Sequence, residues 1–231
     1  MHRKRRAIVA LALVYAMAAA AAPSAHAAQI SPLAPAIRRA MTGVAWHPGC
    51  PVPLDDLRAV RIRYFGFDAR THAGTLVVHR RFAASAAAVF ADLYALRFPI
   101  ERVAGWEAYG PDRYAEQNVT VGFYCEKADD APTKWSSHAY GMAIDINPRL
   151  NPFRNPGRPW WPRNAGPHAR TRAPGTIWAG GPAFLAFARH GWKWGGFDPV
   201  AVDYMHFSKV TVGSGDPTRR HYEVTRFDYT P

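Results

Sequence analysis

Two short segments constrain the fold of this chain most, because their polar residues make chemical sense only if the fold brings them together. Residues 135–148 contain His138 and Asp145, and residues 203–207 contain His206. Two imidazoles and one carboxylate are a typical ligand set for a catalytic zinc ion, which takes three protein ligands and keeps one position open for water. We therefore expect His138, Asp145 and His206 to hold one Zn2+ ion.

The spacing within the first segment requires a bend. His138 and Asp145 lie seven residues apart, so a straight strand would point their side chains to opposite faces of a sheet. Gly141 predicts the position of the bend, because glycine adopts positive φ at little cost. The apolar residues from Met142 to Ile144 then predict a buried strand that leads to Asp145.

A fourth polar residue, Asp203, lies three residues before His206. This spacing suits one helical turn or a tight loop rather than a straight strand. The Asp203 carboxylate is a candidate general base, which would take a proton from zinc-activated water and pass it to the leaving group. Asp203 alone is also compatible with a helix cap, a common use of aspartate.

Together these motifs resemble those of the zinc D-alanyl-D-alanine carboxypeptidase-like peptidases, a family that also includes L-alanyl-D-glutamate endopeptidases. The resemblance rests on S-x-H-x-x-G-x-A-x-D from Ser136, G-W-x-W-G-G from Gly191 and D-x-x-H-F from Asp203. Weaker similarity extends from about Met41 to Phe207. The resemblance implies a zinc metallopeptidase that hydrolyses the peptide stem of peptidoglycan, at a D-Ala-D-Ala or an L-Ala-D-Glu bond.

Three further residues in or near these motifs are candidates for binding the substrate, namely Ser136, Tyr140 and Trp194. Trp194 and Trp192 belong to a tryptophan–glycine segment whose indoles could wall a substrate cleft. Core packing explains at least one of these indoles equally well. Tyr140 likewise either supports the site or packs beside it.

One departure from the family pattern concerns a substrate-binding arginine, which family members often carry just after an F-x-C segment. Here Cys125 is followed by Glu126 and Lys127. A lysine supplies positive charge but lacks the planar fork with which arginine binds a carboxylate. Arg102 and Arg113 are alternative sources of that charge.

The N-terminus has the three parts of a secretory signal peptide: basic residues at 3–6, an apolar run from Ala7 to Ala22, and a small-residue cleavage site at 25–27. The apolar run is shorter than the roughly 20 residues that span a bilayer, which favours a cleaved signal over an uncleaved anchor. We expect a secreted, periplasmic or wall-associated protein. The predicted division is residues 1–27 as signal peptide, 28–40 as flexible leader and 41–231 as peptidase domain.

Cys50 and Cys125 are the only cysteines of the chain. An exported protein folds in an oxidising compartment, where a single pair of cysteines typically forms a disulfide. Such a bridge would stabilise the fold by roughly 4 kcal/mol, because it restricts the unfolded chain. Two buried thiols are the alternative, and zinc ligation is disfavoured because the chain has no C-x-x-C pair.

The chain carries a formal net charge of +12 and remains basic after removal of the signal. A basic exported protein is attracted to anionic polymers such as bacterial cell wall, or to a membrane surface. We expect no nucleic-acid partner, because the basic residues are scattered and no nucleic-acid-binding motif is present. A generally basic, solvated surface explains the charge equally well. The expected partner is the peptidoglycan stem, bound by a monomer.

Strand and helix patterns come in separate runs. Residues 57–67 alternate in polarity with period two, and residues 75–79 predict the hairpin partner. Apolar residues at helical spacing predict a helix that Ser85 caps and that ends before Pro99, while residues 149–176 predict a long loop. Separate runs favour an α+β single domain. We expect a central, mostly antiparallel sheet flanked by helices, with the zinc site in a surface cleft.

A second functional hypothesis is a non-catalytic, zinc-stabilised protein that binds cell wall. Asp203 argues against this hypothesis, because a purely structural zinc site needs no base. The missing arginine argues for it. Substitution of Asp203 by alanine would distinguish the enzyme from the binding protein.

Overall fold

The computed structural model of the protein describes residues 28–128, 131–165, 171–198 and 201–209. This part of the chain has an α+β fold with four α-helices and several small, mostly antiparallel sheets, which confirms the predicted class. The helices are α1 (Pro35–Met41), α2 (Ala83–Ala95), α3 (Pro111–Glu116) and α4 (Pro182–Arg189). The strands are β1 (Gln29–Pro32), β2 (Leu57–Phe65), β3 (Thr71–His79), β4 (Arg102–Val103), β5 (Val119–Thr120), β6 (Lys127–Ala128), β7 (Ala131–Trp135), β8 (Ala143–Asp145), β9 (Phe153–Arg154), β10 (Lys193–Trp194), β11 (Val202–Asp203) and β12 (His206–Ser208). The predicted signal peptide lies outside the described residues, as do the last residues of the predicted domain.

The longest strands form the predicted hairpin. Strands β2 and β3 each span 9 residues and pair antiparallel, from Leu57 opposite His79 to Phe65 opposite Thr71. Val60 and Ile62 are buried on one face, as the alternating pattern predicts. Strand β1 pairs with β2 and completes a three-stranded sheet.

The segment predicted as a flexible leader, residues 28–40, carries regular structure instead. It contains β1 and most of α1. Strand β1 pairs with β2 from Gln29 to Pro32, and Leu33 just after it is buried. The proline- and alanine-rich sequence has little strand propensity of its own, so this strand depends on its partner in the sheet.

Helix α2 packs across β2 and is the predicted helix, but its start differs from the prediction. The helix begins at Ala83, and no side chain caps its N-terminus. Ser85 lies inside the helix, where its hydroxyl accepts a hydrogen bond from Trp192 Nε1 and donates one to the His190 carbonyl. A tertiary contact thus uses the hydroxyl that the sequence assigned to a cap. No helix in the described part of the chain has the length and apolar character needed to cross a membrane.

A second three-stranded sheet brings together the segments that carry the polar motifs. Its strand order is β10, β12, β8, and both pairings are antiparallel. In this register His206 lies opposite Asp145, and Phe207 lies opposite both Ile144 and Trp194. The sheet therefore makes neighbours of two polar residues that are 61 positions apart in sequence.

The described strands do not form the one central sheet that the sequence predicted. They form two three-stranded and three two-stranded sheets, of which the β4–β5 pair is parallel. Around the site, Gly141 and Asn147 both adopt positive φ and limit β8 to three residues. Such short strands cannot build one continuous sheet. The predicted long loop, residues 149–176, also contains β9, which pairs with β11.

Two hydrophobic clusters cover the two faces of the β1–β3 sheet. The first includes Val60, Ile62 and the buried sides of α2 and α4. The second includes Ala59 and buried residues of α3. Ile144 of β8 belongs to the first cluster and Tyr124 to the second. The segment that carries Asp145 therefore lies where the two clusters meet.

Cys50 and Cys125 form a disulfide, which confirms the predicted pair. The bridge ties the chain before β2 to the segment that leads into β6. Next to the bridge, the backbone N–H of Cys125 donates to the Ala45 carbonyl. Tyr124, the neighbouring residue, stacks on His138. The disulfide thus anchors a segment that contacts the polar cluster.

Candidate metal centre

The structure brings His138, Asp145 and His206 together in one buried cluster. His138 Nε2 lies 3.0 Å from His206 Nδ1 and 3.2 Å from Asp145 Oδ1. The distance from His206 Nδ1 to Asp145 Oδ1 is also 3.2 Å. The three residues expose only 3%, 2% and 8% of their surfaces, respectively. One nitrogen or oxygen of each side chain therefore converges on the same shielded point.

A short turn and a glycine position the first ligand candidate. Ser136 caps the 3₁₀ turn 137–140 by accepting a hydrogen bond from the backbone N–H of His138. Gly141 then adopts a φ of 63°, which confirms the predicted bend. A Cβ at Gly141 would lie 2.6 Å from His79 N, so glycine is required here for space as well as for φ. The bend turns the chain directly into β8.

The outward nitrogens of both histidines have hydrogen-bond partners. His138 Nδ1 lies 2.6 Å from the Gly122 carbonyl, which can only accept, so Nδ1 carries the proton and Nε2 presents a lone pair to the cluster. His206 Nε2 lies 3.0 Å from Ser137 Oγ. Histidines that bind metal typically have their second ring nitrogen held in this way.

Two buried tyrosines hold the outer oxygen of Asp145. The hydroxyls of Tyr114 and Tyr124 donate to Asp145 Oδ2 at 3.2 Å and 3.4 Å. The Tyr124 ring also stacks on His138, with 4.3 Å between ring centroids. Asp145 Oδ1 is left facing the two histidines, so the carboxylate presents one oxygen to the cluster.

The electrostatics of the cluster favour an ionised carboxylate. Burial alone would raise the pKa of Asp145, but attraction to His138 and His206 when those rings are protonated, together with their hydrogen bonds, outweighs burial and holds that pKa below its usual range. Burial raises the pKa of both Tyr114 and Tyr124 well above the usual value, so their hydroxyls remain donors at neutral pH. Asp145 therefore contributes negative charge inside the protein.

The donor set fits a zinc ion. A tetrahedral site with bonds of about 2.0–2.1 Å has ligand atoms about 3.3 Å apart. The three converging atoms form a triangle with edges of 3.0, 3.2 and 3.2 Å. Two neutral imidazoles and one carboxylate also match the ligand preferences of zinc. These residues could hold one metal ion without rearrangement of the backbone.

Asp203 lies beside this triangle. Its Oδ2 is 4.0 Å from His206 Nδ1, and its side chain is 24% exposed. Asp203 ends β11 and is paired with Phe153 of β9, while His206 begins β12. Of the two local structures expected for the D-x-x-H spacing, the structure thus has the tight connection rather than a helical turn.

The cluster and Asp203 line a cavity of about 380 Å³. Other charged and aromatic residues of its lining are Asp112, Glu126, Lys127, Arg158, Asp198, Tyr114, Tyr124, Phe153 and Trp161. The carboxylates outnumber the cations, although the chain as a whole carries a net charge of +12. The cavity is therefore an acidic region of a basic protein.

The three predicted substrate-binding residues have different positions. Ser136 lines the cavity, but Tyr140 and Trp194 do not. Trp194 is buried in the core, where it packs against Phe184 and its Nε1 donates to a backbone carbonyl. Trp192 is buried as well. The tryptophan–glycine segment thus supports the site through core packing, the alternative that the sequence left open.

Neither arginine considered as a replacement for the family residue lines the cavity. Arg102 donates instead to Gln117, and Arg113 lies on α3. The cations that do line the cavity are Lys127 and Arg158. Lys127 Nζ lies 3.5 Å from the centre of the Trp135 ring. Arg158 is exposed and belongs to the segment predicted as a long loop.

The sequence analysis missed residues of the site that matter for the argument, among them Tyr114, Tyr124, Ser137 and Arg158. Tyr114 lies far from every motif, and no local signal identifies it. Ser137 sits inside the first motif next to His138, and Tyr124 precedes Cys125. For Ser137 and Tyr124, adjacency to a recognised motif residue was the sequence signal that could have identified them.

The fold and the site thus define an α+β protein with a candidate metal centre in the wall of a cavity. Residues 129–209 match the family model for D-alanyl-D-alanine carboxypeptidase. This match spans all three ligand candidates and Asp203, and it confirms the resemblance that the motifs indicate. No match to the chain is found among curated proteins or among solved structures.

Proposed function

We propose that the protein is an exported zinc metallopeptidase that hydrolyses a peptide bond in the peptidoglycan stem. The observation that carries this proposal is the convergence of His138 Nε2, Asp145 Oδ1 and His206 Nδ1 at distances of 3.0–3.2 Å. Each of these side chains has its outer polar atom held by another residue. The match of residues 129–209 to the carboxypeptidase family model is the reason for proposing a peptide substrate.

The three converging atoms would hold the zinc ion. Zinc at this position would polarise the scissile carbonyl and lower the pKa of the attacking water toward about 7. Gly122, Ser137 and the two tyrosines would keep the ligands oriented before the ion binds, which reduces the cost of assembling the site.

Asp203 serves as general base and then as general acid in this proposal. Its carboxylate borders the point where the ligands converge, 4.0 Å from His206 Nδ1, and it faces the cavity. It accepts the proton of the attacking water and passes it to the nitrogen of the leaving amine. The pairing of β11 with β9 fixes the backbone of Asp203 relative to the cavity.

Arg158 takes the place of the missing family arginine in this proposal. It is an arginine that lines the cavity, and its planar guanidinium can bind a carboxylate with two parallel hydrogen bonds. A peptidoglycan stem that ends in D-alanine carries such a carboxylate. The proposal covers hydrolysis of either a D-Ala-D-Ala or an L-Ala-D-Glu bond.

Export is part of the same proposal. Residues 1–27 act as the signal peptide, and the chain from residue 28 onward works outside the cytoplasm as a monomer. The Cys50–Cys125 disulfide supports an oxidising compartment. The basic surface would favour contact with anionic cell wall or membrane.

The test is mass spectrometry of peptidoglycan fragments incubated with the mature protein, with and without added zinc. The proposal predicts a new, zinc-dependent product whose mass names the bond that is cut. Asp203→Ala should form far less of this product in the same time while it still binds zinc. Asp92→Ala is the matched control, because Asp92 pairs with Arg189 and His190 away from the cavity.

A non-catalytic, zinc-stabilised wall-binding protein is the second candidate. The replacement of the family arginine by Glu126 and Lys127 favours it. Zinc binding and wall binding without any hydrolysis, in both wild type and Asp203→Ala, would replace the peptidase proposal with this one.

A further inference from the structure

We infer that Ser137 is a positioning residue for His206 and thereby couples the two separate halves of the metal site. The inference rests on the proposed zinc site. It concerns a residue whose type the first motif leaves unspecified, between Ser136 and His138.

The contact that carries this inference is buried and spans a long stretch of chain. Ser137 Oγ lies 3.0 Å from His206 Nε2, and the two residues are 69 positions apart. Both are buried, with 6% and 8% of their surfaces exposed. Ser137 is adjacent to His138, so one 3₁₀ turn supplies a ligand and also holds the ring of another ligand.

The chemistry of the hydroxyl suits this task. A serine hydroxyl both donates and accepts hydrogen bonds, so it can support either tautomer of His206. Zinc binding through Nδ1 would leave the proton of the His206 ring on Nε2. That N–H would donate a hydrogen bond to Ser137 Oγ. The Gly122 carbonyl does the same for His138, from a different part of the chain. Both imidazoles are thereby fixed with a lone pair toward the cluster.

The same contacts permit a different role for Ser137, which the experiment must separate. Ser137 Oγ, His206 and Asp145 Oδ1 form a chain of contacts of 3.0 and 3.2 Å, the order of groups in a serine-nucleophile triad. In that role, Ser137 would attack the carbonyl and zinc would be unnecessary. The position of His206 Nδ1 next to His138 Nε2 favours the metal site instead, because a triad has no use for a second imidazole there.

The experiment measures the zinc dissociation constant of the full mature protein by competition with a chromophoric chelator. The variants are Ser137→Ala, Ser137→Thr and the control Ser208→Ala. Ser208 is also buried and lies on β12, but its hydroxyl has no hydrogen-bond partner among the described residues. Thermal unfolding of each variant in a chelator reports the stability of the metal-free fold. The visible spectrum of the Co2+-substituted protein reports ligand geometry.

Ser137→Ala should weaken zinc binding about 10–100-fold, the usual effect of removing a group that holds a metal ligand. It should also shift the cobalt spectrum. Ser137→Thr restores the hydroxyl and should recover most of the affinity, while Ser208→Ala should bind zinc like the wild type. The metal-free unfolding midpoints of Ser137→Ala and Ser208→Ala should be similar, so the loss of affinity is not a general loss of stability.

Wild-type zinc affinity in Ser137→Ala, with hydrolysis retained, would overturn the inference while the zinc proposal survives. Complete loss of hydrolysis in Ser137→Ala with unchanged zinc affinity would make the hydroxyl a reacting group and would overturn both the inference and the zinc mechanism. A wild-type protein that binds no zinc would instead refute the proposed function itself.

Discussion

The β2–β3 hairpin and the β8–β12 pair are both antiparallel, but the hairpin buries apolar side chains whereas the β8–β12 pair positions polar ones. The hairpin strands span 9 residues each and bury Val60 and Ile62 in a continuous apolar cluster. Strands β8 and β12 span 3 residues each and bring Asp145 opposite His206. The first region gains stability by burying apolar surface, whereas the second buries polar groups that cost free energy unless they are paired.

This difference predicts that substitutions in the two regions have separable effects. Changes at the site should reduce activity and metal binding more than stability. Changes in the hairpin should reduce stability and leave the zinc affinity of the folded protein intact. The predictions below are ordered from the largest expected effect to the smallest.

Asp203→Ala should reduce the rate of hydrolysis by about 10²–10⁴-fold, because the water and the leaving amine lose their proton-transfer group. The zinc content and the thermal unfolding midpoint should stay close to wild type, since Asp203 is not a ligand in this proposal. Steady-state kinetics on stem peptides and metal analysis measure the two effects. Equal loss of zinc and activity would make Asp203 a ligand rather than a base.

Ile62→Ala should lower the free energy of unfolding by about 2–5 kcal/mol, the usual cost of a cavity in a packed core. Ile62 is 2% exposed, whereas Ile30 on β1 is 41% exposed, so Ile30→Ala is the matched control with a much smaller cost. Urea unfolding followed by fluorescence gives both values. A large loss of zinc affinity in folded Ile62→Ala would contradict the separation of the two regions.

Replacing both Cys50 and Cys125 by serine should cost about 2–4 kcal/mol, because the unfolded chain regains the freedom that the bridge removes. Zinc affinity should fall less than stability does, since Cys50 and Cys125 do not line the cavity and Cys125 adjoins the site through its sequence neighbours Tyr124 and Glu126. Denaturant unfolding and chelator competition test the two parts. A larger loss of zinc affinity than of stability would show that the disulfide acts mainly on the site.

The smallest expected effect is a pH dependence at the end of the hairpin. Burial lowers the pKa of His79, so the unfolded chain binds this proton more readily than the folded protein does. Stability should therefore decrease as the pH falls through about 6.5, the value of a free histidine. NMR titration should give His79 a midpoint below that value, and His79→Gln should weaken the pH dependence. A midpoint above 6.5 would contradict the prediction.

The sequence predicted the two regions by different signals and with different success. Alternating polarity predicted the hairpin, because Val60, Ile62 and Tyr64 are buried in the first cluster while Arg61 and Arg63 between them are more exposed, the period of two of a half-buried strand. The short strands β9, β10 and β11 have two residues each, too few for any period. Because these short strands left no pattern in the sequence, the several small sheets that they form were not predicted and one central sheet was expected instead.

At the site, motif spacing identified His138, Asp145, His206 and Asp203, which the structure places around one point. The residues that hold the ligands were not predicted, because contacts such as Ser137 to His206 depend on strand register rather than on local sequence. Trp194 was expected beside the substrate, but its large apolar ring packs in the core. Tryptophan in a motif does not by itself distinguish a cleft from a core.

The most direct measurement is a crystal structure of the mature protein grown with zinc, with anomalous diffraction recorded on both sides of the zinc absorption edge. The proposed site predicts one strong anomalous peak about 2.0–2.2 Å from His138 Nε2, Asp145 Oδ1 and His206 Nδ1. The peak should be absent in crystals of His206→Ala. A wild-type map with no peak between these three atoms, or with zinc bound only elsewhere, would contradict the zinc site and the peptidase mechanism built on it.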